Sequence, residues 1–228
     1  MRKKNKPPRL LVCITSCLLV LIALITWAYA KQELPAAIAL DIKGQPTLGY
    51  PHAKVHIVIF EEPKCVNCAK FTLTILPKIK KEFIDTNKAT YTVIPVAFLP
   101  GSLPAANALL GVYYTNPVYP NPGLFFTYLE YMYAHQPDEL TDWATTETLL
   151  SFGKNASSAI RLNELKYCIN TQAYRIKIME NTDYGRRVMN NELTTPTIYI
   201  NGIEVKEISW EYIADLIRKV MHMEGVPK

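Results

Sequence analysis

Cysteine is scarce in this chain: there are five in 228 residues, and only Cys65, Cys68 and Cys168 follow residue 30. A scaffold held by disulfides needs more, so stability must come from an apolar core and the cysteines are left for other work. Histidine is equally sparse. His52, His56, His135 and His222 share no ligand spacing with one another or with the cysteines, which argues against a metal site. An excess of one charge is missing as well. Five of the 25 basic residues and none of the 20 acidic ones lie in positions 1–30, so the remainder carries 20 of each sign. The basic balance therefore belongs to the first segment, and no nucleic-acid surface is implied. Internal repeats and low-complexity stretches are absent.

What is present at the start is a targeting pattern. Arg2, Lys3, Lys4, Lys6 and Arg9 precede an almost wholly apolar run, Leu10 to Tyr29, and Ala28-Tyr29-Ala30 fits a signal-peptidase site. Uncleaved, residues 10–29 are just long enough to anchor the chain in a bilayer. The positive flank stays inside in either case, so the rest is expected to be exported to the periplasm or cell envelope. Cys13 and Cys17 act there as small apolar residues. Export also places the remaining cysteines where disulfides form and persist.

The most informative residues are Cys65-Val66-Asn67-Cys68. They follow a strand-like run, Val55 to Phe60, and open a helical pattern carrying Phe71, Ile75, Ile79 and Phe83. A Cys-X-X-Cys at a strand-to-helix junction suits redox chemistry. The first sulfur sits at a helix N-terminus, where free N–H groups and the macrodipole favour a thiolate. The second lies one turn on and can close a disulfide. Half a zinc site and two unrelated core cysteines are the plain alternatives.

Around the motif the chain divides into a lead-in, residues 31–49, and one domain interrupted by a helical block. Residues 50–102 hold the first strand, a helix with a kink expected at Pro77 and a second strand over 90–98, where Pro95 suggests an edge or bulge. Residues 103–191 read as helices near 104–114, 123–135, 145–152, 157–169 and 171–189, with a break at 153–156. Residues 192–228 hold a hairpin turning at Asn201-Gly202 and a last helix that Ser209 can cap. The expected fold is α/β, a central mixed sheet flanked by helices with an inserted all-helical lobe. Cys168 is expected to be a core thiol. The tyrosines 113, 114, 119, 128, 131 and 133 are read as core, with a peptide groove as the alternative.

These pieces together resemble the DsbA-like branch of the thioredoxin superfamily. Residues 48–55, 60–68 and Thr195-Pro196-Thr197 carry the resemblance, with Cys168 late in the helical block. It implies a thioredoxin fold and an exported thiol–disulfide oxidoreductase. Cys65 would be the nucleophile, Cys68 the resolving cysteine and Pro196 a cis-proline facing the pair, with Thr195 offering backbone hydrogen bonds to a substrate strand. Protein substrates with cysteines and a membrane redox partner, oxidising or reducing, follow from the same resemblance. No organic cofactor or metal is required, and a monomer is expected; an isomerase would need a dimerisation module, for which the short lead-in leaves no room.

The departures bear on direction. Strongly oxidising relatives carry Pro-His between the cysteines, where this chain has Val66-Asn67. Asn67 brings no positive charge, which would leave the Cys65 thiolate less favoured. Lys64 is a candidate for restoring that charge, a solvated lysine being the plain alternative. The position six before the first cysteine, an acid in many relatives, is Ile59 here. Glu62 aligns with a second acid of this branch and is a candidate proton relay to Cys68, against a solvated loop glutamate. The reading favours a disulfide donor, with an envelope reductase as its alternative. A copper or zinc carrier using the two thiolates, or a redox-inactive chaperone on the same fold, is the alternative from another class.

Overall fold

The computed structural model describes residues 14–22, 35–116 and 118–222. Residues 14–22 are helical and belong to a separate unit, Met1–Pro35. The ends of the apolar run 10–29 and its cleavage motif lie outside the described residues. Among the described residues, no helix is long and apolar enough to cross a membrane.

The unit from Ala36 onward is built on five strands: β1 (Thr47–Gly49), β2 (Val55–Glu61), β3 (Ala89–Pro95), β4 (Thr197–Ile200) and β5 (Ile203–Glu204). Their spatial order is β1-β3-β2-β4-β5. β2 and β3 are parallel, and every other pairing is antiparallel. β2 lies at the centre, flanked on both sides, and apart from half-buried His56 it is buried on both faces, as a covered strand is. Thr47–Gly49, read from sequence as part of the lead-in, instead adds the edge strand β1. Three residues are too few to show an alternating pattern.

Pro95 ends β3 opposite Glu61, beyond the reach of β1, which pairs only with Thr90–Thr92. The missing N–H therefore falls where no neighbour needs it. The strand stops there, three residues short of the sequence expectation.

The helices are α1 (Val66–Thr74), α2 (Leu76–Ile79), continued by a π-helical turn (Lys80–Ile84), α3 (Leu103–Tyr113), α4 (Pro122–His135), α5 (Thr146–Ala156), α6 (Leu162–Thr171), α7 (Arg175–Val188) and α8 (Trp210–His222). The break in the first helical pattern comes at Ile75, two residues before Pro77, because proline tolerates the first turn of the new helix α2 and not the interior of the old one. Asn121 and Thr145 cap α4 and α5 through their side chains. Ser209 accepts the Tyr212 N–H at 3.2 Å at the start of α8, as expected. α5 runs through the expected break at Gly153. A Cβ there would lie 2.8 Å from Leu165 Cδ2, so glycine is used for close approach to α6 and not as a stop.

One face of the sheet buries Val58, Phe60, Ile94, Val96 and Tyr199, with Tyr184 and Val188 of α7 packed against them. Residues of opposite parity on β2, namely Ile57, Ile59 and Glu61, point to the other face. There Tyr91 meets Phe126 of α4 at 5.8 Å between ring centroids. Of the tyrosines read as core, 113, 128 and 133 are buried, whereas Tyr119 is exposed. Cys168 is half-buried against Gly111, less enclosed than the core thiol expected.

Candidate active site

Cys65 occupies the N-cap of α1, with extended backbone angles, φ −68° and ψ 120°. The strand β2 delivers the chain to this point, and the helix starts at Val66. Cys68 is one turn inside. Cys65 is 7% exposed and Cys68 fully buried, and both are free thiols. The Cys65 Sγ donates to the Thr195 carbonyl at 3.4 Å. The Thr195–Pro196 peptide is cis. The Cys65–Cys68 pair and the Thr195–Pro196 pair, far apart in sequence, thus meet at one end of the sheet.

The two sulfurs differ in chemistry because they differ in surroundings. Cys65 is lowered from 9.0 to about 6. The largest cause is a hydrogen bond from the Cys68 thiol, opposed by burial and aided by the Cys68 backbone N–H, the Thr195 side chain and the Asn67 backbone N–H. Asn67 thus contributes through its amide at the second helical position, without needing a charged side chain. Cys68 moves the other way, well above the usual thiol range. Burial is the main cause, followed by the hydrogen bond it donates to Cys65 and the negative charges of Glu61 and Cys65.

Glu62 and Lys64 are not solvated. Glu62 is fully buried, and neither carboxylate oxygen has a hydrogen-bond partner of good geometry. Burial raises it to about 8, with only partial opposition from the neighbouring Ser102 hydroxyl, the Lys64 backbone N–H and the Lys64 charge. Lys64 is 2% exposed. Its ammonium donates to the carbonyls of Pro100 at 2.8 Å and Thr141 at 2.9 Å. Next to a cysteine in an open turn both residues would meet water. Here the 100–102 and 138–142 segments of the molecule close over them.

Sequence reasoning passed over Glu61. This acid ends β2, where it accepts hydrogen bonds at Oε1 from Thr72 and Tyr91, both at 3.1 Å, and at Oε2 from Tyr133 at 3.3 Å. Burial raises it to about 7, against the lowering effect of those three hydroxyls. A signal existed: an acid in phase with Ile57 and Ile59 on a buried strand is an anomaly that calls for partners. Its partners come from three other elements and leave no local pattern. Glu139 was also missed. Its Oε2 accepts the Val66 N–H at 3.0 Å.

Beside the cysteine pair lies a groove of about 260 Å³, lined by Asn67, Lys70, Phe71, Thr195, Pro196 and Ile208 among others. Among the described residues, no group of three or more His, Cys, Asp and Glu side chains is placed to hold a metal ion.

A reactive thiol at a helix N-cap, a buried partner one turn on and a cis-proline opposite, all on a mixed sheet with a helical lobe, define the thioredoxin class of dithiol proteins. The chain belongs to that superfamily: its thioredoxin family model matches residues 41–219. Within it, the chain belongs to the DsbA-like branch and is a thiol–disulfide oxidoreductase. It is 31% identical over 181 residues to disulfide bond formation protein D of Bacillus subtilis, covering 78% of each chain. The crystal structure of Chlamydia trachomatis DsbA is similar with a TM-score of 0.75 and 33% identity, covering 83% of this chain and 98% of that one. Oxidised BdbD of Bacillus subtilis gives a TM-score of 0.73 and 30% identity, covering 83% and 99%.

Proposed function

We propose that this protein donates disulfides to exported proteins through the Cys65–Cys68 pair. The observation that carries the reading is the opposite tuning of the two thiols within one helical turn. Cys65 is lowered to about 6, and Cys68 is raised well above the usual range. A stable Cys65 thiolate favours the reduced protein, and this makes its disulfide a good oxidant. Relatives named for disulfide bond formation support the same direction.

The cycle starts from the Cys65–Cys68 disulfide. A substrate thiolate attacks Cys65 Sγ, forming a mixed disulfide and breaking the S–S bond, and the electron pair leaves on Cys68. Cys68 then takes up a proton. The second substrate thiolate attacks its partner sulfur in the mixed disulfide and expels Cys65 as a thiolate. The substrate is oxidised by two electrons and the pair is reduced.

Glu61 and Glu62, held near 7 and 8, supply and recover the proton at Cys68. Of the two, Glu61 is the acid whose charge acts on Cys68. Lys64 tunes the site through Glu62, which its buried charge lowers, and Asn67 supplies its backbone amide to Cys65. A substrate strand lies in the groove over Pro196, and Thr195 offers it backbone hydrogen bonds. Reoxidation falls to a membrane partner. Residues 1–30 direct export, residues 50–102 and 192–228 form the redox domain around the helical lobe 103–191, and the protein works as a monomer.

The test is the reduction potential of the pair, by equilibration of the purified protein with glutathione, together with turnover of a dithiol peptide. A potential near that of strong oxidants, about −120 mV, is expected. A value near about −270 mV would assign the reverse, reductase direction. Cys65→Ser abolishes turnover, and full activity in that variant would sink the reading altogether.

A further inference from the structure

The first three N–H groups of the redox helix α1 are shared between two negative partners. Those of Asn67 and Cys68 favour the Cys65 thiolate. That of Val66, the first helical residue, is taken by Glu139 Oε2 at 3.0 Å. The N-terminal amides of a helix are what stabilise an anion there. Glu139 thus competes with the sulfur for the positive end of the helix.

Glu139 is delivered by a well-built turn of the helical lobe. Asp138 accepts the Leu140 N–H at 2.8 Å through its side chain, and its carbonyl accepts the Thr141 hydroxyl at 2.7 Å and the Thr141 N–H at 3.0 Å. The same turn presents the Thr141 carbonyl to the Lys64 ammonium at 2.9 Å. Both chain neighbours of Cys65 are therefore held by Asp138–Thr141. One is bound through its side chain and the other through its backbone.

We propose that Glu139 is a positioning residue of the helical lobe that restrains the Cys65 thiolate, by occupying the Val66 N–H and by placing a negative charge at the helix end. This rests on Cys65 being the nucleophile. The lobe then sets the oxidising power of the pair as well as covering it. Other charged and titratable groups coupled to the sulfur are Glu61 at the end of β2, Glu62 just after it, Cys68 in α1 and Tyr133 in α4. Asp138 and Asp142 flank Glu139 in its own turn. None of these uses the Val66 amide.

The test compares the wild type with Glu139→Gln, which keeps an acceptor without the charge, and Glu139→Ala, which removes both. Two quantities are read in the full chain: the pH dependence of iodoacetamide alkylation mapped to Cys65, and the equilibrium constant with glutathione. A helix-end charge of this kind shifts such equilibria roughly two- to fivefold. The Cys65 acidity should rise by that factor in Glu139→Gln, with the glutathione equilibrium moving by the same factor towards the reduced protein. An unchanged or weakened acidity in Glu139→Gln overturns the proposal, whatever Glu139→Ala does. A wild-type Cys65 that fails to alkylate in its acid range would instead overturn its role as nucleophile. The two failures are thus separate.

Discussion

Cys65 and Cys68 have the same side chain and lie three residues apart, yet they titrate in opposite directions. The first sulfur ends a strand and faces the open amides of a helix, while the second is inside that helix, cut off from water and facing Glu61. Because the folded pKa of Cys65 is depressed from 9.0 to about 6, it is mostly thiolate at neutral pH. We expect its alkylation rate to be half-maximal near pH 6, measured by mass spectrometry at the Cys65 peptide. A midpoint near the ordinary thiol value would remove the physical basis for the nucleophile. The motif was legible in the sequence because both sulfurs belong to one short segment. The partners of Glu61 and Glu139 were not, since they come from α1, β3 and α4 in one case and from a backbone N–H 73 residues away in the other.

Among the elements, the hairpin β4–β5 does more than end the sheet. Asn201 and Gly202 both have positive φ, 46° and 80°, as the Asn-Gly pair suggested. The turn is also anchored on both sides. Asn201 Oδ1 accepts the His56 N–H at 2.6 Å, and the Gly202 carbonyl accepts the Ile38 N–H at 3.0 Å. A Cβ on Gly202 would lie 2.0 Å from the Ile38 carbonyl oxygen. Gly202→Ala should therefore cost about 2 kcal/mol or more, from the positive φ and the displaced strap together. Denaturant unfolding measures it, and a loss below about 0.5 kcal/mol would show that the 36–43 segment is not held by this turn. The turn type was readable from two residues, but the segment that crosses it was not, because no local pattern records a neighbour 164 positions away.

For the whole molecule, the buried acids tie stability to pH. Glu61 is raised from 4.5 to about 7, mainly by burial. Between those values the folded chain binds more protons than the unfolded one, so stability falls as pH rises through this window. For a fully buried group the effect is on the order of 3 kcal/mol, and Glu62 adds to it in the same direction, up to about pH 8. Urea unfolding of the oxidised protein at pH 5 and pH 8, where the Cys65 thiol no longer titrates, should show the lower stability at pH 8. Glu61→Gln should reduce the difference. A pH-independent stability would mean that the two acids are solvated in the folded state.

What the sequence determined by itself is whatever short-range chemistry controls: the Cys-Val-Asn-Cys motif at a helix start, the strand leading into it, the helical block, the hairpin turn and the cap of α8. Each rests on propensities or periodicities confined to a few neighbouring residues, so each could be read in place. The tertiary structure alone decided which charges are buried. Glu61, Glu62 and Lys64 look like ordinary polar residues beside a turn, and it is the closure of the helical lobe over them that removes water and raises the two acids. The physical reason is that desolvation depends on everything that surrounds a group, and here those surroundings are drawn from segments up to about 80 residues apart in the chain.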